Sequence, residues 1–163
     1  FNRLHRTLRI SQAEPQWLLL LQVIFRRLDH RSWIYREGTR NVWVIESSYR
    51  PVDPGERLAP EAETAFVRGY FDAEGGVPKA SESRFYIQLV QKNKADLEYL
   101  RALLGKLGIQ SGRIHNPSAG VDPDYWRFYV LSSSHKDFIR RVGSWHPRKR
   151  QVLGAMLQSC TPE

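Results

Sequence analysis

The apolar and polar positions of the chain follow strand-like and helix-like spacings in an order that occurs twice. In the first part, residues 4–10 alternate apolar and polar side chains, which predicts a strand. A Glu-Pro pair at positions 14–15 then predicts the start of a helix that runs to about Leu28. Segments 32–36 and 41–47 are rich in aromatic and β-branched residues, so they predict a hairpin.

The second part has the same order. Residues 84–91 alternate and predict a strand, and Asn93 predicts the cap of a helix that Gly108 ends. Segments 113–115 and 126–131 predict a hairpin with a long loop. The predicted apolar stripe of the helix consists of Leu97, Leu100, Leu104 and Leu107, and two further helices are predicted to begin near Ser134 and Pro147.

Corresponding residues support a repeat. Gln12 and Leu28 stand sixteen positions apart, as do Gln91 and Leu107. The shared order of elements indicates two copies of one structural unit more strongly than residue identity does. The predicted organisation is a first repeat over residues 1–48, a Pro- and Gly-bearing linker over 49–59, and a second repeat over 60–163.

A further helix is predicted between the linker and the second strand. Pro60 and the acidic residues behind it are typical of a helix start, and Gly75 and Gly76 can adopt the left-handed conformation that ends one. Glu74 then lies at the carboxyl end, where the negative pole of the helix disfavours an anion. A divalent cation such as Mg²⁺, which prefers hard oxygen ligands, would reverse that interaction. The alternative is a surface acid beside a glycine cap.

Composition and charge narrow the function. The 163 residues suffice for one domain or two small ones sharing a core, and a net charge of +8 with a pI near 9.9 suits a polyanionic partner. A single cysteine, Cys160, excludes an intrachain disulfide and a zinc site built on paired cysteines, and it fits a reducing compartment. The longest apolar run, residues 17–21, is too short for a bilayer span, and no secretory signal precedes it. An intracellular, non-secreted protein is expected.

The string FVRGYFDAEGG at positions 66–76 resembles the signature helix of LAGLIDADG homing endonucleases. The resemblance implies an α+β fold with an antiparallel β saddle, helices packed on one face, and two pseudo-repeats around paired motif helices. In that family the last acid of each motif helix binds the cleavage metals. The role falls on Glu74 here, with Ala73 supplying a carbonyl and Asp72 acting structurally.

The resemblance also implies a partner helix. Only a few residues precede the first predicted strand, so the first repeat lacks a motif helix in this sequence. The partner helix is expected from a homodimer mate or from an upstream segment. Small residues at helical spacing, with one aromatic, form the predicted helix–helix interface: Ala62, Phe66, Gly69 and Ala73.

Two further catalytic roles follow by resemblance. Gln91 would position water at the end of the strand, and Lys92 would add positive charge nearby; an ordinary exposed strand end is the alternative for Gln91. The family also places a Lys after the second hairpin. Here that stretch reads Ser132-Ser133-Ser134, and the nearest basic residues are His135 and Lys136.

DNA contacts are expected from the outward strand faces, because a saddle of strands can read base edges in the major groove. The predicted residues are His5, Thr7 and Arg9 in the first repeat and Lys79, Arg84, Tyr86, Gln88, Arg113, His115, Arg127 and Tyr129 in the second. Arg148, Lys149 and Arg150 form a basic run suited to phosphates. The alternatives are a solvated sheet and a solvated helix start.

The sequence therefore predicts a site-specific endonuclease that hydrolyses double-stranded DNA at a long target with Mg²⁺, or with Mn²⁺ or Ca²⁺ bound in its place. A catalytically inactive DNA-binding protein or an RNA-binding intron maturase of the same fold is the alternative. A third possibility is a basic domain whose motif match is accidental.

Overall fold

The computed structural model describes residues 7–50, 59–80 and 83–159. The chain divides into two units, residues 1–57 and 58–163. Each unit has a three-stranded sheet and a hydrophobic core.

Unit 1 packs a helix against an antiparallel sheet. Its elements are β1 (Leu8–Gln12), α1 (Pro15–Arg27), β2 (Ser32–Arg36) and β3 (Trp43–Ser47). The strands pair in the order β1-β3-β2, and Ile10, Ile45 and Ile34 lie opposite one another. These isoleucines pack against the buried Trp17 and Leu18 of α1, so one face of the sheet forms the core.

Unit 2 adds more helices to a similar sheet. Its elements are α2 (Pro60–Glu74), β4 (Gly75–Gly76), β5 (Gln88–Gln91), α3 (Lys94–Lys106), β6 (Trp126–Tyr129), a 3₁₀ turn (Ser132–Ser134), α4 (His135–Arg141) and α5 (Pro147–Gln158). The antiparallel order is β4-β5-β6, and bridges at Ser111–Val130 and His115–Arg127 continue the sheet beyond β6.

The core of unit 2 forms between the inner sheet face and the helices. Phe71 of α2 meets Phe138 of α4 edge-on at 5.0 Å, and both rings are fully buried. In α3 the buried leucines are Leu97, Leu100, Leu103 and Leu104, whereas the predicted stripe included Leu107, which is the C-cap and only partly buried. Each fully buried leucine stabilises the fold by ~1.5–3 kcal/mol, so this stripe fixes α3 on the sheet.

The strands of the two sheets are paired in the same internal register. Helices α1 and α3 each contain 13 residues, and each begins three residues after a strand that ends in glutamine, Gln12 or Gln91. Across the sheet, Gln12 pairs with Trp43 and Gln91 pairs with Trp126. The two sheets therefore match in strand pairing as well as in the order of elements, as two copies of one structural unit would, and the bounds of the repeats stay a prediction.

The predicted bounds of the strands in unit 2 differ from those in the structure. The paired part of the second strand begins at Gln88 rather than at position 84, although the Val130 amide still donates to the Ile87 carbonyl. Segment 113–115 makes only isolated bridges. Pro117 follows it closely, and a proline cannot donate to a strand ladder, so pairing ends there.

Candidate functional site

Helix α2 ends at an exposed carboxylate. Glu74 is its last residue, and the Gly75 amide closes the helix on the Phe71 carbonyl. Gly75 has φ −78° and ψ 155°, so the predicted left-handed glycine cap is wrong. A Cβ atom at Gly75 would overlap the Phe71 ring and lie 2.5 Å from the Phe71 carbonyl oxygen. Glycine is required here because the next strand passes directly over Phe71.

Asp72 holds the segment that leads into α5. Its carboxylate is buried and accepts hydrogen bonds from the Ser144 hydroxyl, the Trp145 amide at 3.0 Å and the His146 amide at 3.4 Å. Asp72 thus lies at the amino end of α5, where an anion is favoured. The structural role expected for Asp72 agrees with these contacts.

Lys149 of α5 makes the reverse contact, from α5 to the carboxyl end of α2. Its ammonium donates to the carbonyl oxygens of Phe71 at 2.6 Å and Asp72 at 2.9 Å, and the side chain is 7% exposed. Burial lowers the pKa of Lys149 to about 8, and the carboxylates of Asp72 and Glu74 oppose that shift. The prediction that Lys149 contacts DNA phosphates is wrong, because its ammonium faces the interior of unit 2.

The structure brings Gln91 to the same end of α2 as Glu74. Gly75 pairs with Leu89, two residues before Gln91, and the Gln91 side chain accepts the Lys92 amide at 2.8 Å. Tyr70 also lies here: burial raises its pKa to about 12, the Gln91 side chain opposes this, and Glu74 adds to it. Tyr70 was not singled out from the sequence, although its position one helical turn before Glu74 was an available signal that it lies at this end of α2.

The segment in place of the expected Lys is structural. Ser134 is buried, and its hydroxyl accepts the Gln110 amide at 3.0 Å. His135 is also buried, with Nε2 3.1 Å from the Val130 carbonyl oxygen and its ring against Phe85. Burial lowers the pKa of His135, which favours the neutral imidazole. His135 therefore does not replace the cation.

The residues around Glu74 fit a magnesium ion. Among the described residues no three His, Cys, Asp or Glu side chains come together as a ready-made metal cluster. Mg²⁺, however, commonly takes one or two carboxylates and fills its other positions with water and substrate phosphates. The exposed Glu74 carboxylate and the Ala73 carbonyl are oxygen donors of that kind.

The outer sheet face of unit 2 is basic and aromatic. Its side chains, which we call the basic-aromatic face, alternate along the strands with the buried Ile87, Leu89, Phe128 and Val130. Tyr129 lies at its centre: His115 stacks on it at 6.2 Å, the Arg127 guanidinium lies 5.3 Å from the ring centroid, and Tyr86 meets it edge-on at 6.0 Å. The face comprises Tyr86, Gln88, Arg113, His115, Arg127 and Tyr129.

The corresponding face of unit 1 is different. Arg9 donates to Glu37, and its Nε lies 3.8 Å from a Glu46 oxygen, so two carboxylates neutralise its charge. Thr7 is 7% exposed, so its predicted DNA contact is wrong. The alternation of side chains gave the face of the strand on which Thr7 lies, but it did not give how deeply the residue is buried. His5 lies outside the described residues.

The remaining predicted basic contacts are exposed. Arg84 precedes the paired part of β5, and Arg148 donates to the Pro78 carbonyl at 2.8 Å. Outside the basic-aromatic face, the exposed members of the predicted DNA contacts among the described residues are Lys79, Arg84, Arg148 and Arg150, and Lys92, which was predicted to be catalytic, is exposed as well. These side chains can reach phosphates, unlike Lys149.

The predicted helix–helix face of α2 is partly open. Gly69 and Ala73 are exposed, and within the described residues a Cβ built on Gly69 has nothing within 4 Å except its chain neighbours and the adjacent backbone of its own helix. Phe66, in contrast, packs against Tyr70 and against Tyr99 of α3, at ring distances of 6.4 and 5.9 Å. Phe66 is therefore half-buried within its own unit, and the small residues form the open part of the face.

A family model described as a LAGLIDADG-like domain matches residues 61–143, about half of the chain. The chain belongs to the LAGLIDADG-like domain family. The match begins in α2 and ends just after α4, so it includes Glu74, Gln91 and the basic-aromatic face. The family predicted from the motif is confirmed.

This LAGLIDADG chain is 32% identical to the homing endonuclease I-ApeI of Aeropyrum pernix over 93 residues, which are 56% of the chain and 40% of the relative. The chain thus matches less than half of that relative's length. Within the described residues, no helix is both long and apolar enough to cross a membrane.

Solved structures share the LAGLIDADG fold. A structure of I-DmoI in complex with DNA and Ca has a TM-score of 0.67 at 17% identity, covering 91% of this chain and 83% of that chain. Full-length DUF199/WhiA from Thermatoga maritima has a TM-score of 0.68 at 14% identity, covering 100% of this chain and 56% of that chain. The predicted α+β LAGLIDADG-like fold is confirmed.

Proposed function

We propose that this chain is a divalent-metal-dependent endonuclease that hydrolyses double-stranded DNA at a long, specific site. The observation that carries the proposal is an exposed acid, Glu74, at the end of α2 in the unit that presents the basic-aromatic face. The relative I-ApeI is named a homing endonuclease, and I-DmoI has been solved with DNA and with Mn, Ca or Mg.

Glu74 and the carbonyl of Ala73 would hold the divalent cation. Such a cation activates water and stabilises charge on the transferring phosphoryl group. The half-buried Gln91, beside the Tyr70 hydroxyl, would orient the attacking water, and the exposed Lys92 would attract the phosphate. Because the pKa of Tyr70 is about 12, its hydroxyl stays protonated at neutral pH and can donate a hydrogen bond.

The basic-aromatic face would read the DNA. An antiparallel strand pair fits the major groove, and Arg, Gln and His can bond base edges. Stacking on Tyr129 limits the motion of Arg127 and His115, which reduces the ordering cost when they bind bases. The exposed Lys79, Arg84, Arg148 and Arg150 would contact phosphates.

A second motif helix would complete the site. The exposed Gly69 and Ala73 permit close approach of another helix, from a second copy of this chain or from another segment of the full protein. The pairing would bring Glu74 near an equivalent carboxylate, and divalent metal would offset their repulsion.

A second candidate is a DNA-binding protein, or an RNA-binding intron maturase, that does not cleave. The observation that favours it is the structural Ser132–Ser134 turn where the resemblance expects a cation. Loss of one transition-state-stabilising donor typically costs ~2.7–4 kcal/mol, enough to slow cleavage by two to three orders of magnitude.

Selection on a random duplex library separates the two candidates. The chain is incubated with the library and Mg²⁺, and bound and cleaved sequences are counted separately; Ca²⁺ serves as the control cation. The endonuclease proposal expects cleavage at one recurrent long site, and Glu74→Gln to abolish cleavage while binding to that site persists. Recurrent binding of duplex DNA without cleavage supports the second candidate, as does preferential binding of RNA. Unchanged cleavage by Glu74→Gln would remove Glu74 as the metal ligand.

A further inference from the structure

The carboxyl end of α2 and the amino end of α5 lie together, and each is hydrogen-bonded by a charged side chain of the other helix. Asp72 of α2 receives the amides of Trp145 and His146 at the start of α5. The ammonium of Lys149, in the first turn of α5, donates hydrogen bonds to the Phe71 and Asp72 carbonyls at the end of α2. An anion thus lies at a positive helix pole and a cation at a negative one, which is the favourable arrangement at both ends.

Burying the Lys149 ammonium between α2 and α5 carries a free-energy cost of desolvation. Lysine is rarely buried, because its charge loses water, and an apolar side chain of similar length would pack there without that loss. Lys149 is 7% exposed and lies over the Phe71 ring at 5.1 Å. Its hydrogen bonds order two carbonyls of the turn that ends in Glu74.

We propose that Lys149 is a positioning residue that fixes the last turn of α2 and thereby sets the direction of the Glu74 carboxylate. This inference rests on the proposed role of Glu74. The bonds of Lys149 use the carbonyls of Phe71 and Asp72, and neither uses that of Ala73. The Lys149 side chain therefore fixes the last turn of α2 without bonding to the Ala73 carbonyl.

The charges of Lys149 and Glu74 also interact directly. Glu74 is among the groups that raise the pKa of Lys149 against the effect of burial. The ammonium thus offsets part of the repulsion between the negative helix pole and the Glu74 carboxylate.

Amide exchange of the full chain tests the positioning directly and needs no cleavage. In Lys149→Met, the amides of residues 73–76 should exchange at least tenfold faster, while those of Leu89 and Phe128 in the sheet keep their protection. Lys106→Met is the matched control, because it removes the same charge from an exposed lysine bonded to Glu63. Unchanged exchange at 73–76, or equal acceleration throughout unit 2, would overturn the proposal.

Chemical rescue tests the link to catalysis. Lys149→Cys in a Cys160→Ser background is alkylated with bromoethylamine while unfolded and then refolded, which restores an ammonium at the same reach. The unalkylated variant should lose at least tenfold in kcat at unchanged KM for DNA, and alkylation should restore kcat. Full kcat without alkylation, or no recovery after it, would contradict the proposal. If the unsubstituted chain cuts no DNA, the proposed function fails, and amide exchange still decides the role of Lys149.

Discussion

Gly75 lies directly against Phe71, with its amide on the Phe71 carbonyl and no room for a side chain between them. The glycine after the motif acid is thus required by close approach of the strand and not by a left-handed turn.

Gly75→Ala should therefore destabilise unit 2. The added methyl group overlaps the buried Phe71 ring, and overpacking of this kind costs ~1–3 kcal/mol. Urea unfolding followed by tryptophan fluorescence measures the change. Gly105→Ala is the control, since within the described residues a Cβ on that helical glycine would meet nothing within 4 Å beyond its chain neighbours and its own helix backbone, and the substitution should be neutral or stabilising by up to ~1 kcal/mol. Equal stability of Gly75→Ala and the parent would show that the strand can move away.

Lys149 should give the stability a recognisable dependence on pH. Its pKa is about 8 in the folded chain and 10.5 ordinarily, so between these values the unfolded chain binds more protons and folding becomes more favourable as pH rises. Relative to Lys149→Met, the parent should gain stability from about pH 8 to 10.5. The charged and titratable groups that interact with the ammonium are Asp72, Glu74, Arg148 and His146. Parallel curves for parent and variant would mean that the ammonium is not desolvated.

Arg127→Ala should weaken binding to the preferred DNA site by ~1–3 kcal/mol and relax the preference at one base position. The stacked guanidinium is held over Tyr129 and points from a strand, the geometry of base reading. Arg148→Ala is the comparison: it should weaken binding on all sequences alike and reduce the salt dependence by about one counterion. Binding to randomised duplexes at several salt concentrations distinguishes the two. Uniform loss for Arg127→Ala would make it a phosphate contact.

Gly69→Leu should prevent the pairing of α2 with another motif helix. The leucine projects from the open face formed with Ala73, where two helices would have to approach closely. Light scattering after gel filtration, with and without DNA, reports the assembly, and the cleavage rate should fall with it. Gly105→Leu places the same side chain on α3 and should change neither. A Gly69→Leu variant of unaltered mass that still cuts DNA would refute helix pairing.

The sequence predicted the helices better than the roles of single charges. Pro15 and Asn93 mark the starts of α1 and α3, and leucine spacing identifies the buried side of α3, because local signals and packing agree there. Lys149 was misread, since a run of basic residues looks the same whichever member faces the core. Its position four residues before the buried Leu153, on the inner side of α5, was the informative pattern.

Other differences come from tertiary contacts. Alternation gives the side of the strand on which Thr7 lies, but it does not give the depth of burial, and Thr7 is only 7% exposed. The pairing of Arg9 with Glu37 likewise joins residues 28 positions apart. Neither relationship has a local signal.

The neutralised Arg9 of unit 1 bears on the proposed association with DNA. Ions displaced from a duplex drive non-specific association, and only cations free to replace them contribute. Because Glu37 and Glu46 already neutralise Arg9, its charge displaces few ions, whereas among the residues that the structure describes no carboxylate forms an ion pair with Arg113 or Arg127 of the basic-aromatic face. Replacing Arg9 by Ala would therefore change the salt dependence of DNA binding less than the same replacement of Arg127.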